Sequence, residues 1–270
     1  MKKTNKLLLF LAPLAAGTLI FAACQKSTSN SATSGSGHLT IHLTDDIAPR
    51  PTTAVYIDVE SVWVHAAPDS SLNGWVEVPL LRRGIYNLLN FRNGLDTVLA
   101  GVDLPSGIIS QIRLVLGDSN SFVLNGIPYP LKTPSAQQSG LKFNVHAPMT
   151  PGIDYALWID FMVSQSIVDM GNGTYMLKPV IRTYSKGLGG SIQGFALPSV
   201  ALPDVWAIQG TDSLLARPDS ATGYYFFGGV TAGTWNIYVH PEDSLYKDTT
   251  FSVTVADGVV TNADTVTLHK

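Results

Sequence analysis

Val55-Tyr56-Ile57-Asp58-Val59-Glu60-Ser61-Val62-Trp63-Val64 is the stretch on which the fold turns. Apolar residues alternate with polar ones through most of it and β-branched side chains dominate, the pattern of a strand with one face on a core. Strict alternation places Val55, Ile57, Val59 and Trp63 on that face. Working outward, strand-like segments recur at 39–43 before it and at 75–78, 112–116, 121–124, 141–145, 155–161 and 175–181 after it. Only 88–89 and 95–100 read as short helical turns. Residues 38–183 therefore read as a β-sandwich.

Tyr184-Ser185-Lys186-Gly187-Leu188-Gly189-Gly190 is rich in glycine and reads as a linker over 184–190. Beyond it, shorter segments at 191–195, 204–209, 223–227, 234–239, 249–255 and 261–268 suit a small immunoglobulin-like sandwich over 191–270. The expected fold class is thus all-β, two β-sandwich domains with few helical turns. Composition agrees. Aspartate outnumbers glutamate 17 to 3, and Val, Ile and Thr make up 62 of 270 residues. Asp favours turns and Glu favours helix interiors, so both counts disfavour a helical bundle. With 14% charged residues and no sustained Lys/Arg cluster, nucleic acid is excluded as a partner.

The N-terminus carries an address. Lys2, Lys3 and Lys6 precede an almost uninterrupted apolar run over 7–23, and Cys24 follows at once. The run is short for a membrane span, which needs about 20 residues, and fits an export signal over 1–23. Phe21-Ala22-Ala23-Cys24 resembles the bacterial lipobox, which implies lipidation of Cys24. As the single cysteine of the chain, Cys24 forms no internal disulfide. Gln25 to Gly37 is polar and of low complexity, so 24–37 reads as the lipidated cysteine and a flexible tether. The expected partner is the membrane, reached through the N-terminal lipid. The expected location is the bacterial cell envelope at the outer membrane, with the periplasmic or surface face left open.

Two resemblances follow from particular residues. Leu43-Thr44-Asp45, Val55 to Val62, Leu104-Pro105-Ser106-Gly107 leading into Gln111-Ile112-Arg113-Leu114, Leu131 to Ser135, Ile159-Asp160-Phe161 and Leu177 to Ile181 resemble domain-of-unknown-function family 4382 over about 38–183. That family carries no assigned activity. Met162 stands where the resemblance leads one to expect an acid after Asp160-Phe161. Asp219-Ser220-Ala221-Thr222-Gly223-Tyr224-Tyr225-Phe226 and Gly233-Thr234-Trp235 are similar to the turn motif of the carboxypeptidase-regulatory, transthyretin-like sandwich. This implies a non-catalytic β module.

No H-E-x-x-H, G-x-S-x-G, P-loop or G-x-G-x-x-G occurs, and the six histidines show no ligand spacing. No catalytic residue, metal or cofactor is assigned. Asp58 and Glu60, two apart on a strand and so about 6.6 Å apart, suit a cation site or a carboxylate pair. The simpler reading, a solvated face balanced by Arg113 or Lys142, is preferred. Asp45-Asp46 offers Ca²⁺ ligands or, more simply, a turn. Trp75 and Trp206 are candidates for stacking on sugars, set against core packing, which all five tryptophans also suit. Asp precedes Ser or Thr at 8 of its 17 positions. Six of these resemble a Bacteroidota O-glycosylation triplet, with acceptors Thr97, Ser213, Ser220, Ser244, Thr249 and Thr265. The alternative is that Asp-Ser and Asp-Thr open turns. The functional expectation is a non-enzymatic envelope protein with a binding or structural role, its partner a glycan or another envelope protein. The alternative is a carbohydrate-binding accessory lipoprotein.

Overall fold

The computed structural model describes residues 35–66, 74–133, 139–185 and 187–270. The export signal, Cys24 and the tether up to residue 34 lie outside the described residues, as do Pro134, Ser135 and Lys186. The first half of the described chain runs β1 (Ser36–Asp45), β2 (Thr52–His65), β3 (Trp75–Val78), β4 (Gly84–Asn87), a 3-10 turn (Leu88–Asn90), β5 (Thr97–Pro105), β6 (Gly107–Leu116), β7 (Ser121–Leu124), β8 (Ile127–Lys132), β9 (Leu141–Met149), β10 (Asp154–Phe161), the one-turn helix α1 (Val163–Ser166), β11 (Ile167–Asp169), β12 (Tyr175–Leu177) and β13 (Ile181–Tyr184). The second half runs β14 (Gly190–Leu197), β15 (Pro203–Gln209), β16 (Asp212–Ala216), β17 (Tyr224–Val230), β18 (Gly233–Pro241), β19 (Thr249–Val255), β20 (Val260–Asn262) and β21 (Val266–Thr267). The chain is all-β.

Two sheets close over the first core. One has the order β13-β10-β1-β5, and β1 runs parallel to β10. The other has the order β11-β12-β8-β7-β2-β6-β9, with β3 and β4 also paired to β2. β2 is its spine, paired with β7 and β4 along its first half and with β6 and β3 along its second. Leu39, Ile41 and Leu43 of β1 and Leu157, Ile159 and Phe161 of β10 meet Val55, Ile57, Ile112 and Leu114 in one buried cluster. Each such side chain stabilises by about 1.5–3 kcal/mol on leaving water.

β2 changes phase midway. Its register against β6 slips between Val59 and Ser61, a β-bulge. Val55, Ile57 and Val59 point inward before the bulge, Val62 and Val64 after it, and all five are fully buried. Trp63, expected beside Val59 on the core face, therefore stands on the opposite face, half-buried, with Nε1 donating to Ser61 Oγ at 3.0 Å. One inserted residue moves every later side chain to the other face.

Three other expectations are corrected. Residues 97–105 form β5 where a helical turn is expected over 95–100, because pairing with β1 buries Leu99 and Ala100. The single strand expected over 175–181 breaks into β12 and β13, which belong to different sheets. Pro179 sits in the break, where it has no N–H to give to a ladder. Ser36 and Gly37, read as tether, belong to β1 opposite Pro105 and Leu104. Gly37 is there for close packing, since a Cβ would meet the Thr150 carbonyl at 2.7 Å.

The second core lies between a sheet of order β17-β14-β20, with β21 on β14, and a sheet of order β16-β15-β18-β19. Ile192, Val205, Tyr225, Phe227, Trp235 and Ile237 fill it. Trp235 is 2% exposed and donates its indole N–H to the Thr231 carbonyl, so it is a core residue.

The two sandwiches belong to one compact unit. β10 is buried on both faces: its odd residues enter the first core, and Trp158 and Asp160, each 6% exposed, face away from that core. His42, Trp158 and Tyr184 are paired across β1, β10 and β13. Their rings stack with centroids 4.4 and 5.8 Å apart. Arg182 donates Nε and Nη2 to Asp160 Oδ2 at 3.2 and 2.7 Å. It also reaches the carbonyls of Gly228 and Gly229 at 2.9 and 3.0 Å. Arg50 bonds Glu242, the Leu202 carbonyl and Asp204, and Arg217 bonds Asp204 and the Ala48 carbonyl. Tyr184, expected to open a linker, ends β13 and fills the space above Gly228 and Gly229. A Cβ on Gly229, whose φ is +60°, would lie 2.2 Å from Tyr184 Cγ.

Gly229→Ala is expected to cost about 2–3 kcal/mol in urea unfolding, from overlap with Tyr184 and a left-handed backbone together. Gly210→Ala, at φ +59° with nothing within 4 Å, is the control and should cost about 1 kcal/mol. Equal losses at the two positions would refute close packing at the joint.

Candidate functional site

A cleft of about 680 Å³ opens between the sandwiches. One wall comes from the loop after the 3-10 turn Leu88–Asn90, whose first N–H groups are capped by Asn87, which accepts from the Leu89 N–H at 3.3 Å. Asn93 and Gly94 then take φ +54° and +82°, turning the chain back sharply. Gly94 lets the loop lie on Phe226, which a Cβ there would meet at 3.2 Å. Asn93 Nδ2 donates to the Arg217 carbonyl at 3.0 Å and ties this wall to the other sandwich.

The second wall is Phe195 of β14, Tyr224 of β17 and the turn Arg217–Thr222. The rings of Phe195 and Tyr224 meet edge to face, centroids 5.6 Å apart. Asp219 organises the turn: its Oδ1 accepts from the backbone N–H groups of Ala221 and Thr222 and from Thr222 Oγ1. These bonds, the Thr222 hydroxyl first, hold the Asp219 carboxyl below its usual range. Two guanidiniums border the cleft. Arg217 is neutralised by Asp204 at 2.9 Å. Arg92 donates Nε to the Leu89 carbonyl at 2.9 Å, and among the described residues no carboxylate lies within ion-pair distance of it. Burial lowers its pKa and Arg217 adds to that, while the charges of Asp45 and Asp219 work in the opposite direction.

A smaller void, of about 30 Å³, lies under the joint and is lined by Asp45, Asp46, Asp160 and Arg182 among others. Asp45 Oδ1 accepts from the Val163 N–H, and Asp46 accepts from the N–H and hydroxyl of Ser164. Asp45 Oδ2 and Asp160 Oδ1 are buried without a hydrogen-bond partner. Burial, with Asp46 and Asp160 adding repulsion, holds the Asp45 carboxyl well above the usual range. Burial likewise raises Asp46 to about 6.

Of the residues singled out from sequence, Asp45 and Asp46 line this void and Ser220 lines the cleft, and the others fall elsewhere. Asp58 and Glu60 stand on β2, in a different sheet from Asp160. They flank Gly117, where a Cβ would meet Asp58 Oδ2 at 2.3 Å and Glu60 Cγ at 3.1 Å. Glu60 pairs with Arg83 at 3.2 Å, in place of the expected Arg113 or Lys142. Arg113 instead lies over the Trp75 ring, 4.1 Å from its centroid, covering one face of that half-buried indole. Trp206 is half-buried on β15 opposite Tyr238 and Leu215. Among the described residues no three His, Cys, Asp or Glu are placed to hold a metal ion. Ser213, Ser220, Ser244 and Thr265 are exposed, whereas Thr97 and Thr249 are half-buried. Four of the preceding aspartates already hold partners: Asp96 the distant His42 and Trp158, Asp219 and Asp243 their own turns, Asp248 Tyr238 and His240. Tryptophan as the criterion for a stacking surface passes over Phe195 and Tyr224. Nothing local to Arg92 in the sequence marks it as unpaired.

The family model described as a domain of unknown function (DUF4382) matches residues 36–179. The chain belongs to this family. The DUF4382 match begins where β1 begins and stops just before β13, although β13 pairs with β10 and carries Arg182. The second sandwich lies outside it. No curated protein matches the chain. Among solved structures, the chain is similar to the Bacillus anthracis TIE protein at 13% identity and a TM-score of 0.25. That match covers 87% of this chain and 34% of that one, so the chain spans about a third of its length. The shaft pilin SpaA of Lactobacillus rhamnosus GG matches at 6% identity, 88% and 99% coverage and a TM-score of 0.23. The minor pilin GBS52 of Streptococcus agalactiae matches at 12% identity, 87% and 96% coverage and a TM-score of 0.23. Scores this low leave the assignment to the DUF4382 match alone.

The buried acids set a pH dependence. Their folded pKa values are raised above the unfolded ones, so the stability tied to their protonation is complete below pH 3.8. It is lost as pH rises, through about 6 for Asp46 and well above the usual carboxylate range for Asp45. Thermal unfolding should therefore show a lower midpoint at pH 7.5 than at pH 5. Asp45→Asn should raise the pH 7.5 midpoint and flatten the difference. A wild-type midpoint that rises across that interval would contradict this assignment.

Proposed function

We propose that this chain is a lipid-anchored, non-enzymatic binding protein of the bacterial envelope whose ligand sits in the cleft between the sandwiches. The observation that carries the reading is the cleft itself. Its volume lies within the range of roughly 300–1,000 Å³ common to small-ligand sites. It pairs an apolar aromatic corner with one guanidinium that lacks an acidic partner. The carboxylates that act on this guanidinium, Asp45 and Asp219, are occupied in holding the Val163 N–H and a turn, so the groups at hand suit recognition rather than proton transfer.

Anchoring rests on the N-terminal signal: basic residues, an apolar run and a single cysteine at its end. Among the described residues no helix is long and apolar enough to cross a membrane. Lipid on Cys24 supplies the attachment, and several acyl chains give stable anchoring where one is marginal. Without residues 1–23 the chain has 14 basic and 20 acidic residues, a net charge of −6, which favours lipid over charge as the hold on the membrane. The second sandwich acts as a transthyretin-like module that supplies one wall of the cleft.

In cell fractionation the wild-type protein should sediment with membranes and Cys24→Ala should move to the soluble fraction. The intact mass of the wild-type protein should exceed that of the chain from Cys24 by the mass of its acyl groups. Membrane association unchanged in Cys24→Ala would refute the anchor.

A further inference from the structure

We propose that the cleft takes an acidic sugar, a hexuronate residue, with its carboxylate on Arg92 and one ring face on Phe195 and Tyr224. This rests on the cleft being the ligand site.

The charge argument begins with the arginines around the joint. Arg50, Arg182 and Arg217 each hold a carboxylate and at least one carbonyl of the opposite sandwich. Arg92 holds only the Leu89 carbonyl, through Nε. Its terminal nitrogens have no hydrogen-bond partner among the described residues, and they are not among the polar atoms sealed from solvent. Solvent therefore reaches them, and Arg92 lines the cleft. A planar guanidinium with both terminal nitrogens available presents a parallel pair of donors that matches the two oxygens of a carboxylate. Being half-buried, Arg92 is only partly solvated before the ligand arrives, so less water must be stripped from it than from an exposed arginine.

The shape argument comes from the opposite wall. Phe195 is 41% exposed although it sits mid-strand, and Tyr224 meets it edge to face. Together they form an apolar corner with an accessible ring face, the surface on which the C–H side of a pyranose packs. Leu95, 63% exposed, is a further apolar side chain at the mouth. The remaining groups suit hydroxyls. Ser220 is exposed at the rim. Asp219 spends Oδ1 on its own turn, and no hydrogen bond among the described residues uses its Oδ2, which can accept from a sugar hydroxyl.

Other anions fit less well. Sulfate or phosphate would engage Arg92 and leave the aromatic corner without a role. A fatty acid would place its chain against the polar groups at the rim. The aromatic face, the open guanidinium and the hydroxyl partners are used together only by a ring that bears both a carboxylate and hydroxyls.

The test is calorimetric titration of the full-length protein in detergent with tetragalacturonate, its neutral galactose counterpart of the same linkage, and sodium sulfate. Variants are Arg92→Met, Arg92→Lys, Phe195→Ala, Trp75→Ala and Trp206→Ala, with urea unfolding as the check that each is folded. Tetragalacturonate should bind at least ten-fold more tightly than the neutral tetramer. Arg92→Met and Phe195→Ala should each weaken it at least ten-fold. Arg92→Lys should lose less than Arg92→Met, and the two tryptophan variants should bind as wild type. Neutral and acidic tetramers binding equally, with both weakened by Phe195→Ala, would overturn the uronate assignment and keep the cleft as the site. Uronate binding lost on Trp75→Ala or Trp206→Ala but not on Phe195→Ala would overturn the cleft as the site. Sulfate binding as tightly as tetragalacturonate, or folded protein binding none of the three, would overturn the proposal.

Discussion

The guanidinium of Arg182 is the interaction on which the shape of the molecule depends. It sits on the outer face of the first sandwich, anchored to a buried carboxylate of β10, and spends its remaining donors on two adjacent carbonyls of β17. Charge-assisted bonds of this kind contribute about 1.5–3 kcal/mol each where they are sheltered from water. The carbonyls can approach because Gly228 and Gly229 leave room for Tyr184. Once β17 is seated there, Tyr224 at its first residue and Phe195 on the neighbouring strand face the loop that carries Arg92. The cleft is thus a by-product of how the sandwiches are joined, and the same joint brings together buried Asp45 and Asp160 and half-buried Asp46.

The strands were readable because they obey a period of two, and the departures trace to particular residues. The bulge at Val59–Ser61 is invisible to an alternation rule, since the rule holds on either side of it and fails only across it. Trp63 faces away from the core for that reason alone. The glycines gave a different difficulty. Gly37 reads as tether and Gly189-Gly190 as linker, yet Gly37 and Gly190 are strand residues whose missing Cβ admits a neighbouring backbone. Glycine marks close approach as often as it marks freedom, and only the partner tells which.

The site was less legible than the fold. Its walls come from residues about one hundred apart in sequence, Arg92 and Leu95 on one side, Phe195 and Tyr224 on the other. No local pattern joins them. Asp45-Asp46 was visible as a candidate, but what makes it unusual is Asp160, brought alongside by the parallel pairing of β1 with β10. Parallel neighbours in a sheet are far apart in the chain by necessity. The aspartates before Ser and Thr were legible in number and ambiguous in meaning, and four of them have structural work of their own.

The position of β1 has a mechanical consequence. It is an interior strand, zipped along His38–Asp45 to β10 on one side and along Ser36–Leu43 to β5 on the other. Tension entering through the chain that precedes Ser36 runs along the strand axis, so both ladders are loaded in shear and their hydrogen bonds must break together rather than one at a time. Peeling would require a strand at a sheet margin, and β1 is not one. A domain tethered at that end would resist being pulled open while yielding more readily to force applied at its last strands, β20 and β21, which are only three and two residues long.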